Sequence, residues 1–176
     1  MTSADDSRAI RFLAALLAAV LAAAGGAAGE APLTFVLTAD IEGRLAGDDA
    51  FARDPGRGAL ARKAAAIADL RRKDKVLLLD AGNAFFGPES LPSGGKVVAA
   101  AYGAMGYGAV NLSWRDFRLG KDRTLALQGE CPFPVVTTNI ADEASGDLLG
   151  RPYAVLRAGD RRIAILGASE PPPANR

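Results

Sequence analysis

The sequence predicts an α/β fold in the order β-α-β-α-β-α-β followed by a β-hairpin. Three observations carry this reading. Short β-rich apolar runs alternate with helix-length segments, the pattern of an α/β sheet. One run, VLLLD at residues 76–80, is apolar until its last residue, as strands buried on both faces of a parallel sheet are. Two late runs flank Gly159-Asp160, a hairpin turn signal.

Each element has its own warrant. Residues 33–39 (LTFVLTA) are short and β-rich, a first strand. Residues 40–55 hold Gly43, Gly47, Asp48, Asp49 and Pro55, a loop. Over 58–72 a helix is expected, because Leu60, Ala64, Ile67 and Ala68 share one face. Arg62, Lys63, Asp69 and Arg72 are left for the other faces. The strand at 76–80 leads into a glycine-rich loop, 82–95, and then a helix over 96–105 that Gly106 ends. A short strand at 109–112, a helix at 121–128 and a strand at 134–138 follow. Residues 153–157 and 161–166 complete the hairpin. Right-handed crossovers between such strands gather chemistry just past their carboxyl ends. Those positions are Asp40, residues 80–83 and residues 113–116. The sequence shows no internal repeat and no second domain.

Composition bounds the function. The chain has 176 residues, which suits one domain, and 49% are hydrophobic, enough for a core. Net charge is +1 without long runs of one sign, and aromatics are 6%. Neither points to nucleic acid as a partner. Cys131 is the sole cysteine, so no disulfide can form within the chain. It reads as a small buried hydrophobe. The chain has no histidine, which removes the commonest general base and metal ligand and every His-dependent triad. At the N-terminus, Arg8 and Arg11 precede the apolar run 12–24, and small residues follow to Gly29. This is the layout of a secretory signal peptide over 1–29, with a mature domain from 30 to 176. It predicts export to a periplasmic or extracellular space, with no stable membrane anchor after cleavage.

The strand-end segments resemble the 5′-nucleotidase branch of the calcineurin-like metallophosphatases, which also holds 2′,3′-cyclic phosphodiesterases. LTADIEGRL is similar to that branch's strand ending in D-x-H before Gly-Arg, with Asp40 kept and Glu42 where His is expected. VLLLDAGNAFFG is similar to L-D-x-G-D-x-x-x-G, with Asn83 in place of the metal-bridging aspartate. MGYGAVNLSWRDFRLG is similar to G-Y-D-A-x-x-x-G-N-H-E-F-D-x-G. Trp114 stands for the Asn ligand, Arg115 for the catalytic His, Asp116 for Glu and Arg118 for Asp. CPFPVVTTNI and RPYAVLRAGDRRIAILGAS resemble the later strand and hairpin. The resemblance runs from about Leu33 to Ser169 and implies a partial metallophosphatase-like sandwich. In that family the catalytic domain continues past this point and supplies further histidines.

The family's chemistry needs two metal ions bridged by a carboxylate. Of the family positions Asp40, Glu42, Asn83, Trp114 and Arg115, only Asp40 keeps its chemistry. Asn83 is neutral, Trp114 cannot ligate, and Arg115 repels a cation. No cofactor and no catalytic residue are therefore expected. The alternative is a divalent ion on Asp40, Glu42 and Asn83, whose oxygens suit a hard cation. Gly82 and Gly87 read as loop geometry, because no P-loop lysine accompanies them. With the sheet order retained, Arg115 is expected to pair with Asp40 and Glu42 where the metal has gone. Three functions compete: an inactive exported relative acting as an interaction module, a hydrolase with a rebuilt or partner-completed site, and a fragment of such an enzyme. The partner implied is a protein, or the missing second half of the domain.

Overall fold

The computed structural model of the chain describes residues 32–46 and 59–172. The expected signal peptide and most of the 40–55 loop lie outside the described residues. Four strands form one sheet: β1 (Leu33–Thr38), β2 (Lys75–Asp80), β3 (Ala109–Asn111) and β4 (Val135–Val136). All are parallel and stand side by side in chain order. Helices α1 (Ala59–Arg71), α2 (Lys96–Met105) and α3 (Lys121–Glu130) connect them. The last two strands, β5 (Ala154–Ala158) and β6 (Arg161–Ile165), pair antiparallel as the expected hairpin.

This order places the core. When each strand is laid beside its predecessor, right-handed crossovers all fall on one face of the sheet. Accordingly Ile67 of α1, Tyr102 of α2 and Leu127 of α3 share one buried cluster with Leu78, Val110 and Val135 of the strands. Pairing registers put Leu37, Leu79, Ala109, Asn111 and Val136 on the opposite face. The hairpin region covers part of that face. Leu156 approaches Gly108, and the Asn111 Nδ2 amide donates to the carbonyls of Ala81 and Ala168 at 3.0 Å each. A cavity of about 220 Å³ lies there, lined by Leu37, Leu79 and Asn111 on the sheet and by Ile165 and Leu166 beyond. At the β1 end the face is open: Phe35 is 56% and Leu37 67% exposed.

β2 is the strand expected to be buried on both faces. Leu77 and Leu78 are buried, while Val76 and Leu79 are partly covered. Its last residue, Asp80, is buried among hydroxyls. It accepts from Thr38 Oγ1 at 2.5 Å, Tyr102 OH at 2.9 Å and the Gly82 N–H at 2.9 Å. Tyr107 stacks on Tyr102 at 3.9 Å and meets Thr38 Oγ1 at 2.8 Å. Burial pushes the Asp80 carboxyl above its ordinary range, against these donors and the Lys63 charge.

Three local readings need correction. The strand expected at 134–138 is confined to Val135–Val136, because the chain then bonds elsewhere: the Thr137 N–H to Arg151 and the Thr138 N–H to Gly167. Helix α3 runs to Glu130 rather than 128. Two 3₁₀ turns, Leu91–Ser93 and Trp114–Phe117, sit in segments read as loops. Among the described residues, no helix is long and apolar enough to cross a membrane.

Candidate functional site

The ends of β1, β2 and β3 lie side by side, so their following loops converge as the strand order predicts. Backbone pairing continues past the sheet. The Asp40 N–H donates to the Gly82 carbonyl at 3.1 Å, Glu42 to Asn83 at 2.9 Å and Gly43 to Ala84 at 2.9 Å. The two loops touch so closely that a Cβ on Gly87 would lie 1.6 Å from the Glu42 carbonyl oxygen. Gly82 and Gly87 thus serve loop geometry.

Asp40, Glu42 and Asn83 all have left-handed backbones, with φ of 52°, 51° and 57°. Among the described residues no other non-glycine has positive φ. Such conformations cost energy and are held by surrounding structure, which commonly marks a site. Here they turn three side chains toward one another. Asn83 Nδ2 donates to Asp40 Oδ1 at 2.8 Å and to Glu42 Oε1 at 3.3 Å. Arg44 adds a charge to Glu42 at 3.6 Å. Asn83 is buried, Glu42 half-buried and Asp40 exposed.

Trp114 and Arg115 belong to a different neighbourhood. The expected pairing of Arg115 with Asp40 and Glu42 does not form. Its guanidinium lies over the Trp114 ring, 4.6 Å from the centroid, and reaches Glu170 at 3.4 Å. The cause is local: Ser113 and Asp116 close a capping box around the Trp114–Phe117 turn, which directs Arg115 to the segment after β6. Trp114 lines a cavity of about 380 Å³ with Phe117, Ile140, Leu149 and Pro171. Its Nε1–H is buried without an acceptor among the described residues.

Asp116 is the residue that sequence reasoning undervalued. It is 1% exposed, and its carboxylate accepts from the N–H groups of Asn83, Ala84, Phe85 and Ser113 at 2.9 to 3.2 Å. Burial holds its carboxyl above the ordinary range, against the pull of these four donors. The Ser-x-x-Asp spacing at 113–116 was the available signal. Cys131 is half-buried, donates to the Leu127 carbonyl, and has its thiol pushed up to about 12 by burial and the Glu130 charge. That is the inert, packed thiol its sequence context predicts.

Among the described residues, the donor set does not fit a dinuclear metal centre: no three acidic, histidine or cysteine side chains cluster as metal ligands do. Both carboxylates are occupied by an amide N–H, Trp114 has no lone pair to offer, and Arg115 faces Glu170. Oxygens from Asp40, Glu42 and Asn83 alone fall short of the six to eight that Ca²⁺ takes.

Comparison with known proteins bears on the fold. No family model matches the sequence, and no curated protein does. Solved structures do. A 5′-nucleotidase precursor from Thermus thermophilus is similar at 27% identity and a TM-score of 0.67, over 79% of this chain and 29% of that one. The calcineurin-like phosphoesterase YfkN from Bacillus subtilis is similar at 22% identity and a TM-score of 0.63, over 79% and 48%. The sulfate thiohydrolase SoxB from Thermus thermophilus is similar at 22% and 0.59, over 79% and 35%. This chain thus spans less than half the length of each of these three structures. With its parallel sheet, one-sided helices and hairpin, the chain has the fold of part of a 5′-nucleotidase-type, calcineurin-like phosphoesterase catalytic domain.

Proposed function

We propose that the chain is an exported, non-catalytic relative of the 5′-nucleotidase-type metallophosphatases that works as a binding or interaction module. One observation carries the reading: the Asn83 amide donates to both Asp40 and Glu42. These carboxylates therefore have a neutral partner in the place where the resembling family holds a cation. Without histidine the chain lacks the commonest general base and the commonest metal ligand, which supports a non-catalytic role. Its near-neutral charge, without long runs of one sign, does not point to nucleic acid as the partner. The signal-like N-terminus supports export. The structural likeness to proteins named nucleotidase and phosphoesterase supports descent from that fold, not turnover by this chain.

A second reading has one observation behind it. Three oxygen-bearing side chains do converge at the strand ends, so a divalent ion completed by another chain could serve a rebuilt hydrolase. One experiment separates the two. Purified protein, dialysed against Mn²⁺, Zn²⁺ or Ca²⁺, is expected to retain no stoichiometric metal by elemental analysis. It is expected to leave nucleotides, cyclic nucleotides and aryl phosphates unhydrolysed. Retention of about two metal equivalents, the number a full site holds, would overturn the proposal. So would turnover on the order of 1 s⁻¹ that disappears in Asp40→Ala. Export is checked separately, by whether residues 1–29 carry a reporter enzyme out of the cytoplasm.

A further inference from the structure

We propose that the Asn83 amide takes the place of a metal ion as the tie between the loops after β1 and β2, so that the shape of this strand-end site does not depend on a divalent cation. The tie rests on the non-catalytic reading of the site and gives it a physical cause.

The three side chains come from two loops. Asp40 and Glu42 follow β1, and Asn83 follows β2. Two carboxylates brought together repel, and they need a cation or a donor between them. A donor is what the sequence puts there. The Asn83 amide has two N–H bonds, and its Nδ2 lies 2.8 Å from Asp40 Oδ1 and 3.3 Å from Glu42 Oε1. The reverse orientation would set the amide oxygen against two carboxylate oxygens, so the chemistry decides which end faces them. Hydrogen bonds to a charged acceptor are also stronger than those between neutral groups.

The backbone fixes the point from which the amide reaches. Asn83 is buried, its N–H donates to Asp116 Oδ2 at 2.9 Å, and its carbonyl accepts from the Glu42 N–H at 2.9 Å. Asparagine and aspartate tolerate the left-handed conformation that Asn83 and Asp40 adopt. Glutamate has no such allowance, so the φ of 51° at Glu42 must be held by its surroundings. Those surroundings include both ends of Asn83, the carbonyl and the amide, and the Arg44 charge. An aspartate at position 83 would instead bring a third carboxylate to the same place, which is unfavourable until a cation enters. Position 83 therefore sets whether these loops are closed by an internal donor or by an ion.

Melting temperature and amide hydrogen exchange of the purified protein test this, each measured in EDTA and with Ca²⁺ or Mn²⁺ added. The parent is expected to behave alike in all three. Asn83→Asp keeps the size and the left-handed tolerance of the residue but turns the donor into a charged acceptor. In EDTA it should melt about 3 °C or more below the parent. Exchange at Glu42 and Gly43, whose N–H groups cross to the second loop, should quicken about tenfold or more, as loss of a charge-assisted hydrogen bond implies. Added Ca²⁺ or Mn²⁺ should recover part of both losses, because an ion that binds the folded state stabilises it. Asn83→Gly removes the amide, adds no charge and accepts the left-handed backbone freely. It too should quicken exchange at Glu42 and Gly43. If exchange in Asn83→Gly stays as slow as in the parent, the backbone alone joins the loops and the tie is overturned. Asn83→Asp that matches the parent in EDTA overturns it as well, while leaving the non-catalytic reading intact. Losses in Asn83→Asp that no cation recovers overturn the equivalence of amide and ion. A parent that gains as much from the cation as Asn83→Asp overturns both the tie and the reading on which it rests.

Discussion

Asp116 ties two loops together with a single carboxylate. Four backbone N–H groups from residues 83–85 and 113 converge on it. Its own carbonyl accepts from Thr124 Oγ1 of α3 at 2.8 Å. The positions that the resembling family uses for metal are thereby held in place from behind. Asp116→Ala would leave those N–H groups buried without an acceptor, each costing about 1–3 kcal/mol in principle, though relaxation and water would share the loss. We expect a net destabilisation of about 3 kcal/mol or more, read from urea denaturation, with Asp116→Glu less damaging than Asp116→Ala. A change below about 0.5 kcal/mol, the size of an ordinary surface substitution, would contradict this account. At this scale the sequence was legible only in part. Asp40, Glu42 and Asn83 do meet, and their order after the strands foretold it. The fate of Arg115 was not legible. Its partner, Glu170, lies 55 residues away in a segment whose placement depends on the hairpin. Three left-handed backbones at non-glycine residues likewise have no signature in composition, because the surrounding hydrogen bonds impose them.

Among the elements, β1, β2 and α2 are joined by a buried polar knot. Thr38, Asp80, Tyr102 and Tyr107 satisfy one another across them. The segments themselves were readable, because VLLLD is uniform and Gly106 ends its helix in a left-handed conformation, φ 70°. The knot was not, since a carboxylate at a strand end reads as a site residue until its neighbours are known. It has a consequence for pH. The folded-state pKa of Asp80 is raised by burial, above an unfolded value of about 3.9. Its contribution to stability is therefore fully present below that unfolded value and is lost as pH rises through the folded one. Asp80→Asn removes this dependence. Its amide can still accept from the Gly82 N–H and donate to the hydroxyl oxygens. The melting temperature of Asp80→Asn minus that of the parent should increase from about pH 4 towards about pH 7, the direction that proton linkage sets. A difference that is flat or falls over this range would show that Asp80 does not bear a buried-charge penalty.

For the molecule as a whole, the one-sided placement of helices decides where stability resides. The shared cluster binds α1, α2 and α3 to one sheet face, while the other face is covered only in part and ends in open surface at β1. Topology made this legible from the sequence, because successive strands laid side by side with right-handed crossovers leave the helices on one side. The extent to which the hairpin covers the far face was not, because it depends on contacts such as Leu156 with Gly108. Two leucines on adjacent strands measure the asymmetry. Leu78 is 1% exposed on the helix face, and Leu37 is 67% exposed on the other. Truncating Leu78 to alanine removes buried methyl groups and leaves a void among side chains from several elements. Its expected cost is about 2–5 kcal/mol. Truncating Leu37 removes a side chain that is mostly in water already, so its cost should stay within about 0.5 kcal/mol. Both are read from chemical denaturation of the purified chain. Comparable costs at the two positions would mean that the far face is as well packed as the helix face, and that β1 is covered in solution by something other than water.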